Sequence, residues 1–231
     1  MAQQTILVVE DDDNILELMT YHLGQGGFTV QQTFTGEEAL ERVFVGKPDL
    51  ILLDLMLPGM GGLEVCATLK NDMTTRSIPI AIVSARGADT DVIAGLEAGA
   101  DDYLVKPFLP TVLMSTVHAM LHRETFKRPG PDQDLAVADL KISPGTQEVW
   151  LSSRPVPLTE PEFQVLHDLV RHTGSIRTRG QIKMAMALDE QAFEDFPVDD
   201  HVTTLCQKMG DKMTCIETVR RIGYRFKDQE L

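Results

Sequence analysis

The sequence predicts a doubly wound α/β domain in its first half, built on five parallel strands, and a separate α+β domain in its second. Three observations carry this. First, four short apolar runs each end on a reactive side chain. Ile6-Leu7-Val8-Val9 runs into Glu10-Asp11-Asp12-Asp13, Leu50-Ile51-Leu52-Leu53 into Asp54, Ile80-Ala81-Ile82-Val83 into Ser84, and Tyr103-Leu104-Val105 into Lys106. Runs this short, rich in Ile, Val and Leu, belong to strands buried on both faces, as in a parallel sheet. Second, helical patterns alternate with these runs, which implies right-handed crossovers. Third, Lys127-Arg128-Pro129-Gly130-Pro131-Asp132 sets two prolines and a glycine where regular structure would otherwise continue.

Taken in order, Asn14 to Gln25 spaces Ile15, Leu16, Leu18, Met19 and Leu23 as one helical face, broken by Gly24 to Gly27. Gly36 to Val45, Gly62 to Asn71, Thr90 to Ala98 and Pro110 to Arg123 read as further helices. Beyond the break come extended stretches near Ala136 to Ile142, Glu148 to Leu151 and Arg154 to Leu158. Thr159, Pro161 and Glu162 then open a helix as cap, first-turn proline and acid. Thr178 caps a second helix through Ala187. A third follows Pro197, with Val198, Val202, Leu205 and Met209 as its buried stripe, and Cys215 to Phe226 reads as a closing hairpin containing Gly223. The domains are therefore expected at 1–123 and 134–231, with a linker at 124–133.

The composition narrows the class of protein. The chain has 231 residues, 43% of them hydrophobic and 24% charged, as in a globular protein able to bury two cores. No apolar run approaches the roughly 20 residues of a membrane span, and Met1-Ala2-Gln3-Gln4 lacks a basic export signal, so a cytoplasmic location is expected. Cys66, Cys206 and Cys215 are odd in number and without metal-ligand spacing, which suits reduced thiols. Residues 1–123 hold 17 acids and 7 bases, and residues 124–231 hold 18 and 14. Acidity in the first half suits a cation site. In the second half it weighs against nucleic-acid binding.

In open α/β sheets the ligand site lies beyond the carboxyl ends of the strands, so the four strand ends should converge. Glu10, Asp11 and Asp54 would repel one another without a cation and offer the hard oxygen ligands that Mg²⁺ prefers. Asp54 can also act as a nucleophile, forming an acyl phosphate. Phosphoryl transfer asks mainly for positioning and positive charge on the moving oxygens. Lys106 supplies a fixed cation, Ser84 a hydrogen-bond donor, and Ala85 leaves the approach open.

The stretches Leu7-Val8-Val9-Glu10-Asp11-Asp12, Asp54-Leu55-Met56-Leu57-Pro58-Gly59-Met60, Ser84-Ala85-Arg86 and Asp101-Asp102-Tyr103-Leu104-Val105-Lys106-Pro107-Phe108 resemble the receiver domain of two-component response regulators, a flavodoxin-like fold. The resemblance covers nearly all of residues 5 to 122. It implies that Asp54 is phosphorylated by a sensor histidine kinase. Glu10, Asp11, Asp54 and the Met56 backbone carbonyl would hold Mg²⁺, Ser84 and Lys106 would sense the phosphoryl group, and Tyr103 would turn inward as an aromatic switch. It also implies a cis Lys106-Pro107 bond, which an X-Pro linkage tolerates. The phosphoryl group adds nearly two negative charges and three acceptor oxygens, enough to draw Ser84 and Lys106 towards it.

The second half resembles the winged-helix effector of OmpR/PhoB-type transcription factors, through Leu158-Thr159-Glu160-Pro161-Glu162-Phe163 and Thr218-Val219-Arg220-Arg221-Ile222-Gly223-Tyr224-Arg225-Phe226. In that family the third helix enters the major groove and the wing touches the backbone. Thr203, Thr204, Gln207, Lys208, Arg220, Arg221 and Arg225 are the expected DNA contacts. This third helix departs from the family by carrying Lys208 as its only base after His201, and residues 189 to 200 add six acids and no base. Fewer cations mean weaker phosphate contact. From Lys208 to Lys227, six bases against Asp211 and Glu217 compensate in part.

A second departure lies on the face of the fourth helix, fifth strand and fifth helix, through which the family dimerises by charge pairs. Here Val92, Ala94, Val112 and Thr116 replace the usual charged residues, while Glu97, Asp101 and Asp102 remain and would repel one another across a two-fold axis. A homodimer through this face would then rest on Val92, Val112, Leu113 and Thr116, an apolar contact. His118 and His122 stand one turn apart without a third ligand and are read as solvated.

The leading expectation is a transcription regulator of a two-component phosphorelay that binds promoter DNA, with RNA polymerase a further candidate partner. It would not be an enzyme beyond its own phosphoryl transfer and slow autodephosphorylation. The rival keeps the receiver and makes the second domain a protein-contact module with little DNA affinity. A phosphatase using the same carboxylates is weaker still, since no base stands ready to activate water.

Overall fold

The computed structural model describes residues 3–124, 133–186, 197–210 and 215–227, the side chains of 122–124 excepted. The chain divides into two compact units, residues 1–125 and 126–231. The expected linker falls almost wholly at residues outside those described, as does the expected end of the second effector helix at Ala187.

In the first unit strands and helices alternate: β1 Thr5–Val9, α1 Asp13–Gln25, β2 Thr29–Thr33, α2 Gly36–Gly46, β3 Leu50–Leu53, α3 Gly62–Asn71, β4 Ile80–Ser84, α4 Asp89–Glu97, β5 Asp102–Val105 and α5 Pro110–Glu124. The strands pair in parallel in the order β2-β1-β3-β4-β5. Because side chains alternate across a strand, each run serves two cores. Leu7, Val9, Ile51 and Leu53 face Ala39, Val43, Val65, Cys66 and Leu69 of α2 and α3. Ile6, Val8, Leu50 and Leu52 face Leu16, Met19 and Leu23 of α1 and Leu113, Val117 and Met120 of α5. Burial on both sides is what makes these strands uniformly apolar.

The edge strand β2, Thr-Val-Gln-Gln-Thr, is the one whose position no apolar run marks. Two of its residues are partly buried and two exposed, with only Thr33 buried. An edge strand half open to water has no need of a Val/Ile/Leu run.

The second unit opens with an antiparallel sheet of β6 Leu135–Val137, β7 Leu140–Ser143, β8 Glu148–Leu151 and β9 Arg154–Pro155. The expected stretch from Ala136 to Ile142 is two strands folded about Ala138, whose φ of 49° lies in the left-handed region. The stretch from Arg154 to Leu158 keeps only two residues as strand. Then follow α6 Glu160–Arg171, β10 Ile176–Thr178, α7 Arg179–Ala185, α8 Val198–Met209, β11 Ile216–Val219 and β12 Gly223–Phe226. β10 joins the closing hairpin in the order β10-β12-β11. It goes unmarked in the sequence because its three residues are too few to show a period. Gly223 is required where β12 meets β10: a Cβ there would stand 2.0 Å from the Arg177 carbonyl oxygen. α8 buries Val198, Val202, Leu205 and Met209, the stripe its spacing predicts.

Candidate phosphoacceptor and nucleic-acid sites

The parallel sheet delivers its strand ends to one place. Glu10 follows β1 and Asp54 follows β3, both buried. Gly62 opens α3 so close to Asp54 that a Cβ would sit 2.0 Å from the Asp54 carbonyl oxygen. Only glycine allows that helix to start there. Glu10, the exposed Asp11 and Asp54 each bring a carboxylate oxygen within 4.8 Å of the others, the one such cluster among the described residues. Asp12 stands apart, capping α1 through the backbone N–H groups of Asn14 and Ile15.

Lys106, from the end of β5, completes the group. Its ammonium donates to Asp54 Oδ2 at 2.6 Å and to Glu10 at 2.6 and 2.8 Å. Burying an ion costs several kcal/mol unless a partner compensates. Burial pushes the Glu10 carboxyl up to about 7, opposed by Lys106 and reinforced by Asp54. Burial also works against the Lys106 charge, but its hydrogen bonds to Asp54 and Glu10 outweigh it and hold the ammonium's pKa above its ordinary value. The Asp54 carboxylate also accepts from the Met56 backbone N–H at 3.0 Å, which fixes its orientation.

Ser84 is fully buried at the end of β4, its hydroxyl accepting from the Arg86 N–H at 3.4 Å. Tyr103 is half-buried, its ring beside Gly95 and Ile82, and its hydroxyl donates to the Arg86 carbonyl at 2.6 Å. Burial pushes its phenol up, and a hydrogen bond with Ser84 draws it back. The Lys106-Pro107 bond is cis.

Three expectations about the face of α4, β5 and α5 need correction. Leu113 is wholly buried in the core, because α5 turns that position towards β1 and β3, so it offers no contact to a partner. Asp101 and Asp102 are buried rather than displayed as repelling surface charges. Asp101 accepts from Lys70 at 2.7 Å and from the Ile80 N–H at 3.0 Å, while Asp102 accepts from the Tyr103 N–H. Val112 and Ala94 are exposed, with Val92 and Thr116 partly so. His118 is exposed and lies beside the Phe28 ring, and the side chain of His122 lies outside the described residues.

In the second unit Thr203, Thr204, Gln207 and Lys208 share the exposed face of α8. The Thr203 and Thr204 hydroxyls donate backwards to the carbonyls of Asp199 and Asp200. Lys208 is engaged elsewhere: its ammonium donates to Glu162 Oε2 at 2.6 Å. Glu162 is itself buried, and its carboxylate accepts from the Thr159 N–H at the start of α6. Burial would raise its pKa, but Lys208 and that cap hold it below the usual range. Arg220 and Arg221 are exposed in the turn between β11 and β12, whereas Arg225 lies partly buried within β12.

Sequence reasoning missed one cluster. Asp199 in the first turn of α8 accepts from Arg179 at 2.9 Å and from the Tyr224 hydroxyl, while Arg179 lies 5.3 Å over the Tyr224 ring. The cluster ties α7, α8 and β12 together. An acid in a first helical turn is ordinary dipole chemistry, so nothing in the sequence singles Asp199 out.

A receiver-type acidic centre in one unit and three helices with a closing hairpin in the other are the parts of a signal-responsive DNA-binding regulator, and comparison with known proteins agrees. Residues 6–118 match the family described as response regulator receiver domain, and residues 153–226 the family described as transcriptional regulatory protein, C terminal. The alkaline phosphatase synthesis transcriptional regulatory protein PhoP of Bacillus subtilis is 35% identical over 236 residues, covering 98% of each chain. The phosphate regulon transcriptional regulatory protein PhoB of Escherichia coli is 34% identical, covering 96% of each. The crystal structure of DrrB, a Thermotoga maritima OmpR/PhoB homologue, matches with a TM-score of 0.52 and 28% identity, over 98% of this chain and all of that one. The chain belongs to the two-component response regulators of the OmpR/PhoB class, which act as transcriptional regulators, partner with sensor histidine kinases and bind promoter DNA. No helix among the described residues is long and apolar enough to cross a membrane.

Proposed function

We propose that Asp54 is the phosphoacceptor. In transfer from a histidine kinase, an Asp54 oxygen forms the new O–P bond as the P–N bond to the kinase histidine breaks, and the leaving imidazole takes a proton. The supporting observation is the Lys106 ammonium set at 2.6 Å from both Asp54 and Glu10, three residues drawn from three strand ends. An ammonium so placed positions Asp54 and can then follow the phosphoryl oxygens. The donor set is all carboxylate oxygen in one small cluster, which fits a hard divalent ion. Glu10, Asp11, Asp54 and the Met56 carbonyl would hold Mg²⁺, which when bound neutralises charge on the phosphoryl group. Ser84 would donate to that group, and Tyr103, already linked to the Arg86 carbonyl, would report the change to α4.

In this reading the receiver spans 1–123 and the effector 134–231. The receiver's chemistry is limited to its own phosphoryl transfer and slow autodephosphorylation, in the cytoplasm. Thr203, Thr204, Gln207, Arg220, Arg221 and Arg225 would meet promoter DNA. Lys208 is set aside from this group by its tie to Glu162. Self-association would use Val92, Val112 and Thr116, and RNA polymerase would be engaged downstream of DNA binding.

Acetyl phosphate with Mg²⁺ should add one phosphoryl group to the wild-type chain and none to Asp54→Asn, read by intact mass. An adduct that persists in Asp54→Asn removes that residue from the role.

A further inference from the structure

The exposed face of α8 carries little that can donate to a base, and this limits what it can recognise. Asp199, Asp200, Thr203, Thr204, Gln207 and Lys208 are its exposed positions. Asp199 is committed to Arg179 and Tyr224, and Lys208 to the buried Glu162. The hydroxyl protons of Thr203 and Thr204 are spent on the preceding turn, which leaves their oxygens as acceptors. Asp200 is an acceptor too. The Gln207 side chain makes no hydrogen bond within the described residues, so both its amide donor and its carbonyl acceptor are open.

Guanine shows only acceptors, N7 and O6, in the major groove, and the commonest side chain to claim them is Arg or Lys. This face has no uncommitted cation. Adenine shows an acceptor at N7 beside an amino donor at N6, which matches a Gln amide in two hydrogen bonds. The donors that the remaining acceptors on α8 could take are base amino groups, and a threonine methyl suits the thymine methyl.

We propose that α8 reads amino-bearing base edges, with Gln207 pairing to N6 and N7 of an adenine, while Arg220 in the β11–β12 turn carries phosphate anchorage that the helix lacks. The inference rests on the reading of the second unit as a DNA-binding domain and names its specificity residue. It also accounts for the acidity of α8. A helix that leaves phosphate to the hairpin can carry Asp199 as a part of the fold and Asp200 as an acceptor rather than as obstacles.

The test is selection from a randomised duplex library at low salt, using the full-length chain with and without acetyl phosphate, followed by affinity measurements. The wild type should enrich an A·T pair at one position. Gln207→Arg should replace that pair with G·C at the same position, with a preference of about ten-fold, and leave the other positions unchanged. Gln207→Ala should lose the preference there and keep the salt dependence. Arg220→Ala should weaken all sequences alike and lower the log–log salt slope by about 0.9. A Gln207→Arg pattern identical to wild type overturns the inference, as does an Arg220→Ala chain with an unaltered slope. Wild-type protein that holds no duplex at low salt overturns the DNA reading itself and this inference with it.

Discussion

Two lysines, one in each unit, meet buried carboxylates at the same distance and do different work. Lys106 lies 2.6 Å from both Asp54 and Glu10, and Lys208 lies 2.6 Å from Glu162. The first cluster sits at the carboxyl edge of a parallel sheet beside the exposed Asp11, where the three carboxylates could hold a metal ion. The second is bound into a helix start, where Glu162 also accepts from the Thr159 backbone. Its carboxylate has no further role to offer. A charge therefore becomes functional when the fold leaves its cluster room for another ion, and structural when a cap uses up the acceptor.

The comparison breaks most decisively at Lys106. Replacing it with Met leaves Glu10 and Asp54 buried without their cation, and removing one partner of a buried pair costs about 3 kcal/mol. Urea denaturation of Lys106→Met in EDTA should show that loss, and millimolar Mg²⁺ should restore part of it. An unchanged midpoint in EDTA would mean that the ammonium compensates nothing.

Asp168 gives a pair of the second kind with a measurable pH signature. It is buried and accepts from Arg177 Nε at 2.8 Å and Nη2 at 2.9 Å, with His172 close by. Burial favours the neutral acid, but the hydrogen bonds from His172 and Arg177 prevail and hold its pKa below the carboxylate range. An acid with a depressed folded pKa contributes stability above its unfolded value, about 3.9, and loses it as pH falls towards the folded value. Asp168→Asn, which weakens hydrogen bonds to a charged group, should cost about 2 kcal/mol at neutral pH and flatten the fall of stability below about pH 4. If the wild type and the variant keep parallel stability curves below pH 4, the pair is not what the acid limb reports.

Lys208→Met sharpens the contrast with the smallest effect. About a third of this side chain is exposed, so the loss should be about 1 kcal/mol. DNA affinity should change less than two-fold and its salt slope not at all. A slope lowered by about 0.9 would return Lys208 to the phosphate contacts.

The acidic centre was legible in the sequence because four strand ends announce themselves through apolar runs, and a parallel sheet must gather them. The same rule left β2 unplaced, since an edge strand of Thr29, Val30, Gln31, Gln32 and Thr33 needs no such run. β10 escaped for its shortness. Lys208 was misleading for a physical reason: Glu162 signals a helix start through local spacing, but its cation comes from a residue 46 positions later, and no local pattern encodes that. Asp101 and Leu113 misled likewise, because a loop acid or an apolar helix position looks the same from sequence whether it faces water or the core.

The three-way tie of Arg179, Asp199 and Tyr224 has one more result. By joining α7, α8 and β12 it holds the helix and the arginine-bearing turn at a set span. Where that span is kept, a misfit to the duplex is taken up by bending or narrowing of the DNA. Operators should then differ in affinity through bases that no side chain touches. Exchanging a flexible TA step for a stiff A-tract at such positions would measure it.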